Sequence, residues 1–488
     1  MRGWRRSRRA LLALPGVLVA CESAAVDTAP LGDTADTASE VDTGPYDPPY
    51  LGGCVDAPAG PVVLESSAEG RYVGDGGFAV SDPDADGCPA VLVSGRATSV
   101  DPGHAATYLH GPPEVSGGLE ASAAAVISLA DSDGDFAYSV GVLDGGRTLV
   151  LPGVRVTGTV LLFDAAGVTG AVTEGAAWGM IPVEAEEGTG RFGYALATGD
   201  ADGDGTEDLL VSDLEVWEDP NYTTRVWLVH DVLGVAAVEG KVTSAERLLA
   251  RVPDDAENFG ASLALADLDG DGLHDAIVGD TAPNAEEWGT LQRVLVWPGP
   301  VDVLPAGKTP TVVGSGSLAG GSRFGWSLAT GDVDADGYGD LAVGAIYLDV
   351  GGQPAGGVFV FRGPLADVTA DDADTLIEGV AERYGGAGEA IALASSDPEG
   401  SPLDLVTGAT GVLEYAGAVY RVPAPFPPRV SLDESYEIAR GGEYQGLGKG
   451  VANLGDVDGD GIDDIVASAA PYDDYGALWF LYSSALVR

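Results

Sequence analysis

Short stretches of alternating and continuous apolar residues recur along this chain, each bounded by Gly, Asp or Pro. Tyr194-Ala-Leu-Ala-Thr198 alternates and predicts a half-buried strand. Leu209-Leu-Val211, Ala276-Ile-Val278, Leu341-Ala-Val343 and Ile465-Val466 are brief unbroken apolar runs, the pattern of strands buried on both faces. A third strand follows in each case, at Arg225-Val-Trp-Leu-Val229, Arg293-Val-Leu-Val-Trp297, Gly357-Val-Phe-Val-Phe361 and Gly476-Ala-Leu-Trp-Phe480, and Gly417-Ala-Val-Tyr420 is a further one between the last two. A fourth, such as Asp374-Thr-Leu-Ile377, leads into the next unit. Helical periodicity is scarce and Gly is abundant, with 73 residues, so the expected class is all-β.

Between the first and second strands lies an acidic loop, seen in full at Asp200-Ala-Asp202-Gly-Asp204-Gly205-Thr206-Glu-Asp208. Carboxylates at positions 1, 3, 5 and 9, with the carbonyl of position 7, place five hard oxygens on one tight turn. Ca²⁺ takes six to eight such oxygens, whereas Mg²⁺ keeps its waters and Zn²⁺ prefers nitrogen or sulfur. The loop is not an EF-hand, because position 12 is Val211, Val278, Val343 or Ala467 instead of a bidentate Glu, and strands flank it.

Full loops begin at Asp200, Asp267, Asp332 and Asp456. Degenerate ones begin at Asp82, at Asp131, where Phe136 replaces the turn Gly, and around Ser395, with Asp397, Glu399 and Asp404. Seven units of roughly 60 residues suit one four-stranded blade each, predicting a seven-bladed β-propeller. Phe192-Gly193, Phe259-Gly260, Phe324-Gly325, Tyr384-Gly385 and Leu447-Gly448 mark the unit starts. The last unit is short after its third strand, and Pro61-Val-Val-Leu64 resembles Asp374-Thr-Leu-Ile377. The N-terminal strand is therefore expected to complete blade seven and close the ring, leaving no free edge.

These motifs together resemble FG-GAP repeats, as in the propeller of integrin α-subunits, over about residues 55–488. The resemblance implies Ca²⁺ at about four loops on the lower face. By motif position the ligands are Asp200, Asp202, Asp204, Thr206 (carbonyl) and Asp208; Asp267, Asp269, Asp271, Leu273 (carbonyl) and Asp275; Asp332, Asp334, Asp336, Tyr338 (carbonyl) and Asp340; and Asp456, Asp458, Asp460, Ile462 (carbonyl) and Asp464. His274, inside the second full loop, reads as a solvated side chain. Ligand binding in such propellers uses the opposite face. There the second-to-third-strand connections carry Trp217, Tyr222, Trp288, Tyr347, Tyr415, Tyr472 and Tyr475 among acidic residues, a rim suited to a glycan or cationic peptide. The same rings could instead pack blade against blade.

The net charge of −52 excludes nucleic acid as a partner, since no basic stripe exists to meet phosphates. Arg2, Arg5, Arg6, Arg8 and Arg9 precede an apolar run too short to span a bilayer, which ends in Leu18-Val19-Ala20-Cys21. This resembles a bacterial lipobox and implies a signal peptide over 1–20, a lipid anchor at Cys21 and residence in the cell envelope at the outer membrane. An ordinary signal peptide is the alternative, and Ser7-Arg8-Arg9 leaves the export route open. Residues 21–54, rich in Asp, Thr and Pro, read as a disordered tether, and 55–488 as the propeller. Cys54 and Cys88 are expected to form a disulfide in an oxidising compartment, or else to stay as two thiols.

Enzyme signatures are sparse: four histidines, none in zinc spacing, and no Gly-x-Ser-x-Gly elbow. The expected function is a calcium-binding surface lipoprotein whose propeller binds a surface protein or glycan. A structural part in an envelope complex is the alternative, with an Asp-based hydrolase or lyase in the central funnel behind it.

Overall fold

The computed structural model describes residues 54, 60–66, 72–82, 88–96, 105–109, 111–113, 116–128, 139–153, 159–182, 191–214, 225–237, 259–281, 292–301, 309–318, 321–382, 384–397, 402–433, 436–470 and 476–483. Seven antiparallel sheets stand in a ring as the blades of a β-propeller. Among these residues no helix is long and apolar enough to cross a membrane. The predicted signal peptide and Cys21 lie outside them, as does all of the tether except Cys54.

Blade five shows the common plan. Phe324–Gly331, Asp340–Ala345, Gly357–Phe361 and Thr375–Glu378 pair in chain order, innermost to outermost. The second strand, Asp-Leu-Ala-Val-Gly-Ala, is buried at every position, which explains its unbroken apolar run. Its core side chains face those of the adjoining blades, so that Leu328, Val343 and Phe359 join Ile277, Val294 and Val296 of blade four. Phe324 meets Phe359 and Phe361 edge-on, at ring distances of 5.6 and 6.3 Å.

The Gly of each unit start permits the close approach of neighbouring blades. Gly325 and Gly388 adopt φ of +87° and +81°, a left-handed conformation that costs Gly little. Each sits where the first-to-second-strand register slips, at the bulges Phe324/Leu328 and Ala387/Ile391. The bulge turns the Gly carbonyl toward the preceding blade, where a buried serine donates to it: Ser262 to Gly325 and Ser327 to Gly388, both at 2.7 Å. The facing position on the second strand of that blade must also be small. A Cβ on Gly344 would lie 2.5 Å from the Gly388 carbonyl oxygen, and one on Gly408 only 1.8 Å from that of Gly448.

Two positions differ from the sequence reading. Blade six begins structurally at Ala387-Gly388, three residues after Tyr384-Gly385; the latter pair belongs to the connection before it, with Tyr384 at φ +65°. In blade two the first two strands are Gly141–Leu143 and Thr148–Gly153, joined by the tight turn Asp144-Gly-Gly-Arg147. The degenerate marker at Asp131 therefore precedes this blade's first strand, and residues 131–138 lie outside the described residues. The sequence marker misses the turn because Asp144-Gly-Gly-Arg147 lacks the repeated carboxylates, whereas Asp131, Asp133 and Asp135 have them.

Successive blades are also joined at their rims. Val62–Glu65 pairs antiparallel with Ala477–Leu481, Val62 opposite Phe480, and is thereby the fourth strand of the sheet holding Leu447–Gly455. Gly117–Gly118, from the blade-one segment, adds a parallel pair outside it. Gly170–Thr173, Val368–Thr369 and Arg429–Ser431 do the same on the outer strands of blades one, four and five, covering edges that would otherwise stay open. Between the inner strands of blades six and seven, Lys449 and Glu389 form a buried ion pair at 2.5 Å.

Cys54 and Cys88 are both half-buried and neither is joined in a disulfide, contrary to the expected cross-link. Cys54 is instead held at the foot of blade seven, its N–H donating to the Val457 carbonyl at 2.7 Å, while Cys88 sits just before the second strand of blade one. Burial raises the Cys88 thiol pKa.

Val62 and Leu64 are buried in the seam between blades seven and one. Each contributes about 1.5–3 kcal/mol by leaving water. If this strand holds the ring shut, deleting residues 55–70 lowers the melting temperature sharply; a truncated chain melting with the full one in calorimetry would refute that role.

Candidate metal centre

The four full loops share one hydrogen-bonding plan. The first Asp accepts the N–H of the turn Gly at position 6 on one oxygen: Asp200 from Gly205 at 2.9 Å, Asp267 from Gly272 at 2.8 Å, Asp332 from Gly337 at 2.9 Å and Asp456 from Gly461 at 2.8 Å. The fifth-position Asp accepts the N–H of position 7: Asp204 from Thr206, Asp271 from Leu273, Asp336 from Tyr338 and Asp460 from Ile462, at 2.8–3.0 Å. Each Asp thus curls over the backbone two to five residues ahead, the Asx-turn habit that suits Asp to such loops. The turn glycines sit at φ between +84° and +91°.

This winding brings three carboxylates together in every full loop: Asp200, Asp202 and Asp204; Asp267, Asp269 and Asp271; Asp332, Asp334 and Asp336; Asp456, Asp458 and Asp460. Within each group one oxygen per residue lies within 4.8 Å of the others. Like charges at that spacing repel, and a hard divalent cation among them would reverse the sign of the interaction. Of the expected carbonyl donors, that of Ile462 accepts the Ser483 hydroxyl at 3.3 Å.

The ninth-position Asp has a further role. Asp208, Asp275, Asp340 and Asp464 are buried at the start of the second strand, and both oxygens of each are bound by backbone N–H groups. One oxygen accepts from position 2 of the loop, from Ala201, Leu268, Val333 and Val457 at 2.7–3.1 Å. The other accepts from the exit of the third strand, from Asp231, Gly299, Gly363 and Ser483 at 2.7–3.0 Å. The carboxylate clamps loop to blade, and in blade seven Asp464 Oδ2 also accepts the Asp458 N–H at 3.3 Å.

Burial sets the electrostatics of these clamps. It raises Asp275 and Asp340 to about 6 and Asp464 to about 7, with neighbouring loop carboxylates adding to the rise and the backbone N–H groups opposing it. Burial likewise raises Asp456. Asp204, at the solvent edge, is lowered by hydrogen bonds from the Thr206 hydroxyl and N–H.

Residues outside the predicted ligand sets complete the picture. Position 8 reaches back to the previous blade: His274 is half-buried, and its Nδ1 accepts the Asp200 N–H at 3.1 Å, so it is not a solvated side chain. Asp463 accepts the Ser395 N–H at 2.7 Å, and Glu207 accepts the Asp144 N–H. In blade six, Asp404 takes the clamp role toward the Ala424 N–H at 2.9 Å. There the Arg421 guanidinium donates to Asp404 at 2.9 Å, to the Ser395 carbonyl at 2.6 Å and to the Asp463 carbonyl at 2.9 Å. A tethered cation thus holds the foot of a blade that lacks the full ligand set. The lapsed loop was legible; its replacement was not, because Arg421 lies about 20 residues away on the third strand.

On the opposite face, two of the expected rim aromatics fall within the described residues. Tyr347 is half-buried against Tyr384 of the next segment, with ring centroids 6.4 Å apart, and the Arg323 guanidinium lies 5.0 Å from its ring. This is the blade-to-blade packing left open above. Tyr415 is half-buried, and its carbonyl accepts the Gly446 N–H at 2.8 Å. Trp217, Tyr222, Trp288, Tyr472 and Tyr475 lie outside the described residues. Exposed Tyr384, expected only as a unit start, and Tyr444 stand on the connections from fourth strand to next blade.

Comparison with known proteins agrees with this geometry. The FG-GAP repeat family model matches residues 192–229 and 324–361, the first three strands of blades three and five. Integrin alpha-PS2 of Drosophila melanogaster is 35% identical over 190 residues, 36% of this chain and 12% of that protein. Integrin alpha-IIb of Mus musculus is 32% identical over 241 residues, 48% of this chain and 21% of that protein. Phosphatidylinositol-glycan-specific phospholipase D of Mus musculus is 33% identical over 156 residues, 30% of this chain and 18% of that protein. In each case the match spans less than a quarter of the relative's length. With seven blades, bulged glycines and repeated acidic loops in place, the chain is an integrin-α-like FG-GAP repeat propeller.

Proposed function

We propose that this protein is a calcium-stabilised binding module, a cell-surface lipoprotein whose propeller engages a surface protein or a glycan. The observation carrying the calcium reading is the convergence of three carboxylates in each of four loops above a buried clamp. The donors are all oxygen, the number per loop suits Ca²⁺, and the unfolded chain has no such site, so binding adds to folding stability. The expected ligands are those named above, with the position-7 carbonyls of Thr206, Leu273, Tyr338 and Ile462 included.

The binding reading rests on the integrin α relatives and on the face opposite the loops, where aromatic residues stand on the blade connections. A tether over 21–54 and a lipid at Cys21 would hold this face away from a bacterial outer membrane. The phospholipase D relative supports a second reading, a hydrolase. An array of glycans and surface proteins, probed with and without calcium, separates the two: calcium-dependent capture without turnover is expected, and hydrolysis of a captured glycan or phosphodiester would favour the second. Mass spectrometry of the mature chain is expected to find a diacylglyceryl group on Cys21; an unmodified thiol there would remove the anchor.

Chelation is expected to lower the melting temperature, and Asp204→Ala to lower the calcium count by one with the fold retained. Acid should act with opposite sign in the two states. In chelator, Asp275, Asp340 and Asp464 have folded pKa values of about 6 to 7 against an ordinary 3.8. Their contribution is complete below the ordinary value and is lost as pH rises through the folded one, because ionising them opposes burial. Metal-free protein should therefore gain thermal stability as pH falls from about 7 toward 4. With calcium in excess the slope should reverse, since protons then compete with the ion. Identical melting curves in chelator and in calcium across that window would sink the calcium reading.

A further inference from the structure

Blade three departs from the common loop plan at one position. The backbone N–H that closes each clamp comes from Asp231, Gly299, Gly363 or Ser483. The residue just before it is Pro298, Arg362 or Tyr482 in blades four, five and seven, and His230 in blade three. The third strand of blade three ends at Val229, so the imidazole enters from an element separate from the loop. Its Nδ1 lies 3.3 Å from Asp202 Oδ2 and 3.2 Å from Asp208 Oδ2.

Those spacings are close to the edge of a small tetrahedral site. Bonds of about 2.0–2.2 Å at tetrahedral angles place neighbouring donors roughly 3.3–3.6 Å apart. Calcium has longer bonds and oxygen ligands, and imidazole nitrogen is a donor for zinc, nickel, copper and iron. Both carboxylates are already oriented. Asp202 spends its other oxygen on the Asp204 N–H at 3.1 Å, which turns Oδ2 to the imidazole. Asp208 is fixed by the N–H groups of Ala201 and Asp231 at 2.9 and 3.0 Å and is fully buried, while the His230 side chain is 24% exposed. A preformed, half-sheltered set of two oxygens and one nitrogen results, open on the solvent side.

We propose that Asp202, Asp208 and His230 form a transition-metal site of the zinc class, with water or an outside donor in a fourth position. The site shares Asp202 and Asp208 with the calcium ligand set of this blade, so its occupation excludes calcium there and leaves blades four, five and seven unaffected. It does not depend on calcium binding elsewhere.

Cobalt(II) is a direct probe, because a low-coordinate site gives intense visible absorption that hexa-aqua cobalt does not. Titration of the purified full-length protein with cobalt in excess calcium is expected to fill one such site, with zinc displacing it stoichiometrically. His230→Gln should weaken cobalt at least about tenfold and Asp202→Ala likewise, with the calcium count of the other loops unchanged. X-ray absorption on the cobalt-loaded wild type should show a nitrogen donor, and this holds the test open if a variant fails to fold. A wild-type chain that takes up no cobalt would overturn the site, because His230 would then only pair with its two carboxylates. Cobalt binding unaltered by His230→Gln, or an all-oxygen shell, would overturn it as well.

Discussion

The ring depends on how closely the backbone of one blade can approach that of the next. At the inner seam the approaching group is a peptide carbonyl, turned outward by a bulge at a left-handed glycine, and the receiving surface is another glycine or a serine on the preceding blade. Gly344 faces Gly388, and Gly408 faces Gly448, with no room for a methyl group between them. Ser262 and Ser327 convert the same approach into a buried hydrogen bond, so that the exposed carbonyl of the bulge is satisfied. Apolar side chains then fill the wider part of each wedge, and their identity can vary as long as the volume is kept.

At the foot of the blades the problem is charge. Loops that gather three carboxylates over a buried fourth gain in geometry and lose in electrostatics, and the chain as a whole carries −52. Two local answers are visible. Blade six brings its own cation, Arg421, to the clamp Asp404 and to two carbonyls. Blade five sets Arg362 3.2 Å from Asp334, on the rim of an otherwise complete loop. In blade seven the Ser483 hydroxyl donates to Asp460 at 2.8 Å, a neutral partner that leaves the loop's charge in place for an external cation to neutralise. The position-8 side chains carry this arrangement around the ring, because His274 and Asp463 each hold the start of the loop before their own.

A propeller separates these structural demands from recognition. The acidic loops lie at one end of each blade, and the connections between second and third strands lie at the other, free to differ in length and content. The Tyr347–Tyr384 contact commits part of that face to packing between blade five and the segment entering blade six, with Arg323 stacked on Tyr347 and Trp326 within blade five. Tyr444, 53% exposed, and the outer side of Tyr384, 42% exposed, remain at the surface there.

The sequence by itself determined the number of blades and the four acidic loops, since each unit repeats its own motif and each loop forms from contacts within about ten residues. An Asp three residues from a Gly can form its turn without reference to the rest of the chain. Tertiary structure alone decided the relations between units. Ala387-Gly388 begins blade six although Tyr384-Gly385 carries the aromatic, because the bulge forms where the first strand pairs with Ala409. Asp208 closes two hydrogen bonds to backbone that its motif does not mention, and Arg421 and His230 reach loops about 20 residues away in the chain. These side chains act across a folded distance of a few ångströms and a sequence distance no local pattern records, which is why the loops were legible and their guests were not.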